Sequence, residues 1–275
     1  MGRKTVIVQA LRSALFYLLF IGQTAVLAII VGTVGFISLK RGRKPPAISM
    51  AIARYWGQSN LAFLRYVVGL RTEVTGLENI PPGGCIIAAK HQSDWDIFAL
   101  LPHLSDPAFI AKKELLDIPF LGWAMASLDC ISVDRSRGSE AIPAMTRDAR
   151  AAVEAGRQIV IYPEGTRKAP LASPDYRAGA TRLYTALNVP VVPVALNSGL
   201  FWGRNSPVLW PGIAQARFLP AIPPGLSAEA FQARLVASIE AETNRLVLEA
   251  KRRGLARPLT PELRAKLDAL EHTAG

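Results

Sequence analysis

The chain has 275 residues, of which 50% are hydrophobic and 19% are charged. Lysine and arginine outnumber aspartate and glutamate by 32 to 21, which gives a formal net charge of +11. This basic balance suits an anionic partner, but the sequence contains no helix-turn-helix, zinc-ligand or RNP-like pattern. We therefore exclude nucleic acid as the partner and favour a membrane surface rich in anionic lipid.

Hydrophobic residues are concentrated near the N-terminus. Residues 15–39 contain no charge and predict a helix of about 37 Å, enough to cross a bilayer core of about 30 Å. Gly22-Gln23-Thr24 interrupts this stretch, and basic residues stand on both sides of it. Residues 48–70 predict a second, amphipathic helix that lies on the membrane or packs on the domain. Two arrangements stay open: a single span, or a helix pair in one leaflet.

Beyond residue 80, short apolar segments alternate with helical patterns. The alternation predicts an α/β domain with a mixed, mostly parallel sheet flanked by helices. The predicted strands are 85–90, 108–112, 130–133, 158–162, 191–197 and 216–220, and the predicted helices are 96–101, 116–128, 139–154, 178–187 and 228–251. We expect three parts: a membrane-anchoring helical element at 1–70, the α/β domain at 71–256, and a tail with a short helix at 257–275.

Charged groups follow most of the predicted strands. Ligands of such sheets gather at the carboxyl ends of the parallel strands. These ends carry Lys90-His91, Lys112-Lys113, Asp134-Arg135, Pro163-Glu164-Gly165-Thr166-Arg167 and Asn197-Ser198. The convergence predicts a site for catalysis on an anionic ligand, with Asn197 as a further contact.

The segment Lys90-His91-Gln92-Ser93-Asp94-Trp95-Asp96 holds a histidine with a carboxylate five positions later. In one continuous helix the two side chains would lie about 140° apart. They meet if His91 ends a strand and Asp96 lies in the first turn of the next helix, and His91 is then a candidate general base. Asp94 is a rival for the carboxylate role. The alternative is a solvated loop in which Ser93 or Asp94 caps the helix.

Two further loops carry arginines. In Tyr162-Pro163-Glu164-Gly165-Thr166-Arg167, proline ends a strand, glycine permits a tight turn, and Arg167 offers a guanidinium suited to phosphate. Arg135 follows the predicted strand 130–133 and offers a second guanidinium on the same side of the sheet. Each loop alone also fits an ordinary turn with solvated charges.

Cofactor and metal chemistry have little support in the sequence. No Gly-x4-Gly-Lys-Ser/Thr and no dinucleotide fingerprint occurs, and no His, Cys and carboxylate cluster has metal-ligand spacing. Cys85 and Cys130 lie in apolar segments without CxxC spacing, which predicts buried free thiols. We therefore expect neither a cofactor nor a metal ion.

Four ordered motifs make the chain recognisable. They are His91-Gln92-Ser93-Asp94-Trp95-Asp96, Lys112-x2-Leu115-x6-Gly122-x12-Arg135, Pro163-Glu164-Gly165-Thr166-Arg167 and Val191-Val192-Pro193-Val194. Together they resemble the glycerolipid acyltransferase family, above all its bacterial 1-acylglycerol-3-phosphate acyltransferases. The resemblance covers roughly residues 70–220 and implies the fold of that family.

The resemblance implies a role for each matching residue. His91 corresponds to the general base and Asp96 to the carboxylate that orients it. Arg135 corresponds to an arginine that engages the phosphate of the acceptor, and Lys112 to a basic residue of the same motif. Glu164, Gly165, Thr166 and Arg167 correspond to the segment that shapes the acceptor site, with Arg167 near the phosphate. Lys168 departs from the pattern, because many relatives carry serine there.

The resemblance also implies the reaction. An acyl thioester, acyl-CoA or acyl carrier protein, would acylate the sn-2 hydroxyl of 1-acylglycerol-3-phosphate and give phosphatidic acid. The enzyme would work at the cytoplasmic face of the inner membrane, and the two-helix element of some bacterial members favours a one-leaflet anchor. Alternatives are another acceptor such as lyso-ornithine lipid or glycerol-3-phosphate, a thioesterase or lysophospholipase, and a non-catalytic membrane module.

Overall fold

The computed structural model describes residues 3–41, 47–134, 136, 140 and 142–274. Its strands are β1 Leu70–Thr75, β2 Cys85–Ala89, β3 Pro107–Lys112, β4 Ile131–Val133, β5 Gln158–Ile161, β6 Val191–Leu196 and β7 Gly212–Phe218. Its helices are α1 Arg3–Lys40, α2 Ile48–Phe63, α3 Trp95–Leu100, α4 Lys113–Leu116, α5 Leu121–Ser127, α6 Ile142–Glu154, α7 Gly179–Leu187, α8 Ala228–Arg253 and α9 Pro261–Ala274.

The strands form one seven-stranded sheet in the order β1-β7-β6-β2-β5-β3-β4. Every neighbouring pair is parallel except β6 and β7. The prediction of a mixed, mostly parallel sheet flanked by helices is therefore confirmed. Because β2, β3, β4, β5 and β6 run in the same direction, their carboxyl ends meet at one edge of the sheet. The divisions predicted at residues 70 and 256 remain predictions.

The core lies on both faces of the sheet. Strand β2 is buried along its whole length, and its side chains alternate between the two faces. Ile87 packs in one cluster with residues of α1, α3 and the end of α8, including Phe16 and Phe98. Ile86 packs in the other cluster with residues of α6 and α7, including Met145 and Leu183. Coverage on both faces explains why β2 and β6 are continuous apolar segments.

Strand β1 is absent from the prediction, which assigned its first residue to the second helix. That helix instead ends in a π-helical turn, Leu64–Val68, followed by Gly69 in the left-handed region at φ +85°. Along β1, buried or half-buried residues alternate with exposed ones, because this strand lies at the end of the sheet. Arg71 and Glu73 make its sequence too polar to be recognised as a core strand.

The helix predicted at 116–128 begins later than expected, because Leu116 ends α4 and α5 begins only at Leu121. Between α4 and α5 the chain passes through Pro119 and through Phe120, whose φ is +63°. A residue in that region cannot continue an α-helix. Large apolar side chains around the break face solvent: Leu115, Ile118, Phe120 and Trp123 are 39%, 45%, 39% and 39% exposed.

Helix α1 lies along the α/β domain. Near its start, Gln9 donates to the carbonyl of Val68 at 3.2 Å, and Phe16 is fully buried against Trp202 with the ring centroids 5.3 Å apart. Near its end, Phe36 stacks on Trp123 of α5 at 4.9 Å. With 38 residues, α1 is about 57 Å long and meets the domain along both halves.

The polar interruption in the apolar stretch does not break α1. Gln23 donates to the hydroxyl of Ser59 at 2.7 Å, and the hydroxyl of Thr24 accepts from the indole of Trp56 at 2.8 Å. Both partners belong to α2, so these polar groups join the two helices. Residues 4–38 of α1 form the one segment of the described chain that is long and apolar enough to cross a membrane.

Candidate active site

His91 lies in the short loop between β2 and α3. The backbone of His91 is held on both sides: its N–H donates to Glu164 Oε2 at 2.9 Å, and its carbonyl accepts from the N–H of Lys168 at 2.8 Å. Ser93 begins α3 by accepting the N–H of Trp95 at 3.2 Å. The end of a central strand and the following helix therefore place His91 at the edge where the parallel strands end.

His91 and Asp96 meet as the spacing predicted. His91 Nδ1 lies 2.8 Å from Asp96 Oδ2, and the side chains are 16% and 0% exposed. Asp96 lies in the first turn of α3, which is the arrangement that a separation of five residues requires. Because Nδ1 faces the carboxylate, Nε2 is the nitrogen left to take a proton from a substrate.

Asp96 is held by further donors. Oδ2 also accepts the N–H groups of Gln92 at 2.7 Å and Ser93 at 2.9 Å. Oδ1 accepts the hydroxyl of Ser198 at 2.5 Å. Ser198 is 1% exposed and lies in the loop after β6. The sequence placed Ser198 at this edge of the sheet but gave no signal for its contact with Asp96.

Asn197, the residue before Ser198, does not face the site. Its amide donates to Gln215 Oε1 at 3.1 Å and to the carbonyl of Leu246 at 3.0 Å. Its side-chain oxygen accepts the N–H of Gln215 at 2.8 Å. Asn197 is 0% exposed, so its amide joins β6 to β7 and α8. The prediction of a ligand contact for Asn197 is wrong.

Tyr162 supports the imidazole from one side. Its ring stacks on His91 with the centroids 4.0 Å apart and an angle of 22° between the planes. Burial, reinforced by the carboxylates of Asp96 and Asp94, raises the pKa of the Tyr162 hydroxyl well above its usual value. The phenol therefore stays neutral and fixes the ring of His91 without competing for protons.

The turn after β5 holds Glu164 and Gly165. Gly165 adopts φ +67° and donates its N–H to the carbonyl of Tyr162 at 2.9 Å, which closes a tight turn that glycine makes without strain. The Glu164 carboxylate is 1% exposed. Its oxygens contact Lys90 Nζ at 3.0 Å and the N–H of His91 at 2.9 Å. Glu164 therefore faces the protein interior beneath His91.

Arg167 is paired with Asp94. The guanidinium Nη1 lies 2.6 Å from Asp94 Oδ2, and both side chains are partly exposed. Asp94 stands at the position before α3 but makes no capping hydrogen bond with its side chain. Of the two predicted caps, Ser93 and Asp94, the Asp94 candidate is therefore wrong. Burial raises the pKa of the Asp94 carboxyl, and Arg167 opposes that rise. The pair brings a guanidinium to the same loop as His91.

Known proteins of one family resemble this chain. The model of the Acyltransferase family matches residues 71–197. The 1-acyl-sn-glycerol-3-phosphate acyltransferase of Pseudomonas aeruginosa is 34% identical over 248 residues, 88% of this chain and 91% of its own length. The chain belongs to the acyltransferase family. The human 1-acyl-sn-glycerol-3-phosphate acyltransferase alpha is 31% identical over 166 residues, 59% of this chain and 59% of its own length.

The acyltransferase fold is shared with a solved structure. The crystal structure of the 1-acyl-sn-glycerophosphate (LPA) acyltransferase PlsC from Thermotoga maritima matches with a TM-score of 0.70. The match covers 92% of this chain and 100% of the other, at 23% sequence identity. At that identity the match establishes the fold alone, and it includes most of the N-terminal region.

The remaining predicted site residues that the structure describes lie around the same edge. Lys112 ends β3 and is exposed, and Thr166 is half-buried in the turn after β5. Arg135 lies outside the described residues. Lys168 pairs with Asp175 at 2.8 Å, so this departure from the family pattern ties the turn to the loop before α7. The substrate-binding roles predicted for Lys112, Arg135, Glu164, Gly165, Thr166 and Arg167 remain predictions.

The structure offers this acyltransferase no activated thiol. Cys85 is fully buried in β2, Cys130 is half-buried, and both are free. Burial raises the pKa of each thiol to about 11, so both stay protonated near neutral pH and are poor nucleophiles. Within the described part of the chain, no group of three His, Cys, Asp or Glu side chains is placed to hold a metal ion.

Proposed function

We propose that the enzyme transfers an acyl group from a thioester to the sn-2 hydroxyl of 1-acylglycerol-3-phosphate, giving phosphatidic acid. The observation that carries the proposal is the His91–Asp96 pair, 2.8 Å apart at the edge where five parallel strands end. The names of the relatives from Pseudomonas aeruginosa and human support the acceptor. Acyl-CoA and acyl carrier protein both suit the role of donor.

In the proposed reaction, His91 Nε2 removes the proton of the acceptor hydroxyl while its oxygen attacks the thioester carbonyl. Asp96 keeps Nδ1 protonated and balances the charge of the imidazolium that forms. Collapse of the tetrahedral intermediate breaks the carbon–sulfur bond, and the imidazolium returns its proton to the departing thiolate. Backbone N–H groups of the turn after β5 are the proposed donors to the oxyanion. The acyl group passes directly to the acceptor, and no cofactor takes part.

Basic residues around the edge are proposed to bind the phosphate. Arg167 is bound to Asp94, but a guanidinium has five N–H donors and can also receive a phosphate. Arg135 and Lys112 complete the proposed phosphate site. Holding the phosphate fixes the distance between the sn-2 hydroxyl and His91, which turns a loose encounter into a positioned one.

The anchor is proposed to lie within one leaflet. A helix crossing the bilayer would leave its far half in lipid or water, whereas α1 contacts the domain near both ends, through Gln9 and Phe36. Large apolar side chains on its other side are exposed, among them Leu11 at 67%, Leu18 at 71% and Ile21 at 62%. This arrangement supports a helix that lies along the membrane surface. We place the enzyme on the cytoplasmic face of the inner membrane.

A purified-enzyme assay with labelled acyl donor tests the function. We expect product with 1-acylglycerol-3-phosphate and far less with the same lysolipid lacking phosphate. His91→Ala should lower kcat by about 10²–10⁴-fold, while Arg167→Ala should raise KM for the phosphate-bearing acceptor more than KM for the donor. Equal rates with and without phosphate, or release of free fatty acid in place of lipid product, would contradict the assignment.

A further inference from the structure

A charged lysine lies beneath the proposed base. Lys90 follows the five buried residues of β2 and is itself only 2% exposed. An ammonium in such a place is costly unless other charges compensate it. An apolar residue would continue the strand without that cost, so the charge at this position requires a reason.

Two carboxylates compensate Lys90. Its Nζ lies 3.0 Å from Glu164 Oε1 and 2.6 Å from Glu240 Oε1. Glu240 belongs to α8, 150 positions along the chain, and also accepts the hydroxyl of Tyr176 at 2.8 Å. Lys90 therefore joins the end of β2 to the turn after β5 and to α8.

The network ends on the backbone of His91. Glu164 uses one oxygen for Lys90 and the other for the N–H of His91 at 2.9 Å. Burial raises the pKa of the Glu164 carboxyl, and Lys90 followed by the His91 N–H opposes that rise. Without Lys90 the carboxylate would tend to protonate and lose the fixed orientation that holds His91. A displacement of about 1 Å at a reacting group can cost about 10²-fold in rate.

We propose that Lys90, Glu240 and Tyr176 are positioning residues that act on His91 through Glu164. In this proposal they contact neither substrate, and they fix the position of the imidazole relative to the end of β2. The inference rests on the proposed role of His91 as the general base.

A double-mutant cycle tests the route. Lys90→Met and Glu164→Gln should each lower kcat by roughly 10–100-fold, with KM for both substrates changed less than about threefold. If Lys90 acts through Glu164, the double variant should be no slower than the slower single variant. Multiplication of the two factors would overturn the inference, as would a loss expressed in KM alone.

Milder variants keep the test decisive if Lys90→Met fails to fold. Glu240→Gln and Tyr176→Phe keep the shape of each side chain and should lower kcat by a few-fold to about tenfold, Tyr176→Phe by less. If Lys90→Met does not fold, the cycle of Glu240→Gln with Glu164→Gln asks the same question. Additive effects in that cycle would overturn the inference equally.

Glu242 provides the matched control on the same helix. It pairs with Arg217 and with Arg245, is 7% exposed, and does not contact the loop of His91. Glu242→Gln should lower the melting temperature about as much as Glu240→Gln but leave kcat unchanged. A matching loss of kcat in Glu242→Gln would mean that the effect is general destabilisation.

Different results would refute the proposed function and the positioning network. If the wild-type enzyme acylates a different lysolipid, the acceptor assignment falls, and the cycle is measured with that lysolipid. If His91→Ala keeps full activity, the assignment of the base falls. If wild-type activity and its loss in His91→Ala are as expected but the cycle is additive, only the positioning network falls.

Discussion

At the scale of single residues, the Asp96 carboxylate has two separable tasks. One oxygen accepts His91 Nδ1 together with the N–H groups of Gln92 and Ser93. The other accepts only the hydroxyl of Ser198 among the described residues. The first oxygen holds the base and folds the loop, whereas the second anchors the carboxylate. Substitutions on each side should therefore affect different measurements.

We expect Asp96→Asn to lower kcat by about 10²-fold or more while the melting temperature changes little. Its amide oxygen can keep the donors on the first side, and the Ser198 hydroxyl can rotate to accept from the new amide. What is lost is the negative charge that balances the imidazolium. Steady-state kinetics and thermal unfolding of the same preparations provide the measurements.

Ser198→Ala is the matched control for that prediction. It leaves a buried carboxylate oxygen without its donor, which should destabilise the fold by about 1–3 kcal/mol. Because Asp96 keeps its charge and its other donors, kcat should fall much less than in Asp96→Asn. The separation of tasks would be refuted if Asp96→Asn retained wild-type kcat or if Ser198→Ala lost as much activity.

At the scale of elements, the exposed apolar residues of α4, α5 and their connection continue the surface of α1. Phe36 of α1 stacks on Trp123, and Ser127 of α5 donates to the carbonyl of Val31 at 3.3 Å. Ile118 and Phe120 are 45% and 39% exposed beside this contact. A helix lying in the interface would bring these residues to the lipid as well.

We expect Ile118→Ser/Phe120→Ser to weaken binding to neutral phosphatidylcholine vesicles about tenfold. Each side chain is only partly exposed, so the loss should be about 1 kcal/mol or less per residue, below the value for full burial. Vesicle sedimentation in about 0.5 M salt isolates this apolar contribution, because the screening length there is only a few ångström.

Leu77→Ser is the control for the apolar surface. Leu77 is 36% exposed and follows β1, the outermost strand on the side of the sheet opposite to β4. The Leu77→Ser substitution removes an apolar side chain at a site distant from α1, so vesicle binding should not change. An equal loss in the control, or no loss in the double variant, would show that the segment between α4 and α5 does not enter the lipid.

The elements also show what the sequence can predict. The six predicted strands correspond to β2 through β7, because apolar runs bounded by glycine, proline and charge are a local signal. The meeting of His91 and Asp96 was predictable for the same reason, since five positions and one strand–helix junction define it. The contacts of Ser198 with Asp96 and Glu240 with Lys90 were not, because they join residues 102 and 150 positions apart. Tertiary packing alone brings such pairs together.

Strand β1 and the extent of α1 illustrate the other limit. The polar alternation of β1 depends on its place at the end of the sheet, and that place is set by its pairing with β7, which is far away in the chain. Likewise, Gln23 and Thr24 looked like an interruption because their partners on α2 are not visible in the sequence. The sequence shows that these residues are polar, but it does not show the distant partners that accept their hydrogen bonds or pair with their strand.

At the scale of the whole molecule, the net charge of +11 would add a second attraction to an anionic membrane. Four exposed basic residues lie next to the apolar surface: Lys40 and Arg41 at the end of α1, and Lys112 and Lys113 at the start of α4. A basic residue near an anionic surface contributes about 1 kcal/mol. Apolar insertion and electrostatic attraction should therefore act together at low salt and separate at high salt.

We expect the enzyme to bind vesicles containing phosphatidylglycerol more tightly than neutral vesicles at about 0.05 M salt, with the difference lost near 0.5 M as charges are screened. Lys113→Glu, at a side chain that is 57% exposed, should weaken the low-salt binding roughly tenfold. Arg147→Glu is the matched charge reversal: its side chain is 75% exposed on α6, which packs on the sheet face away from α1, so binding should change much less. Equal losses in the two variants would mean that total charge, rather than its placement beside the apolar surface, brings the enzyme to its lipid substrate.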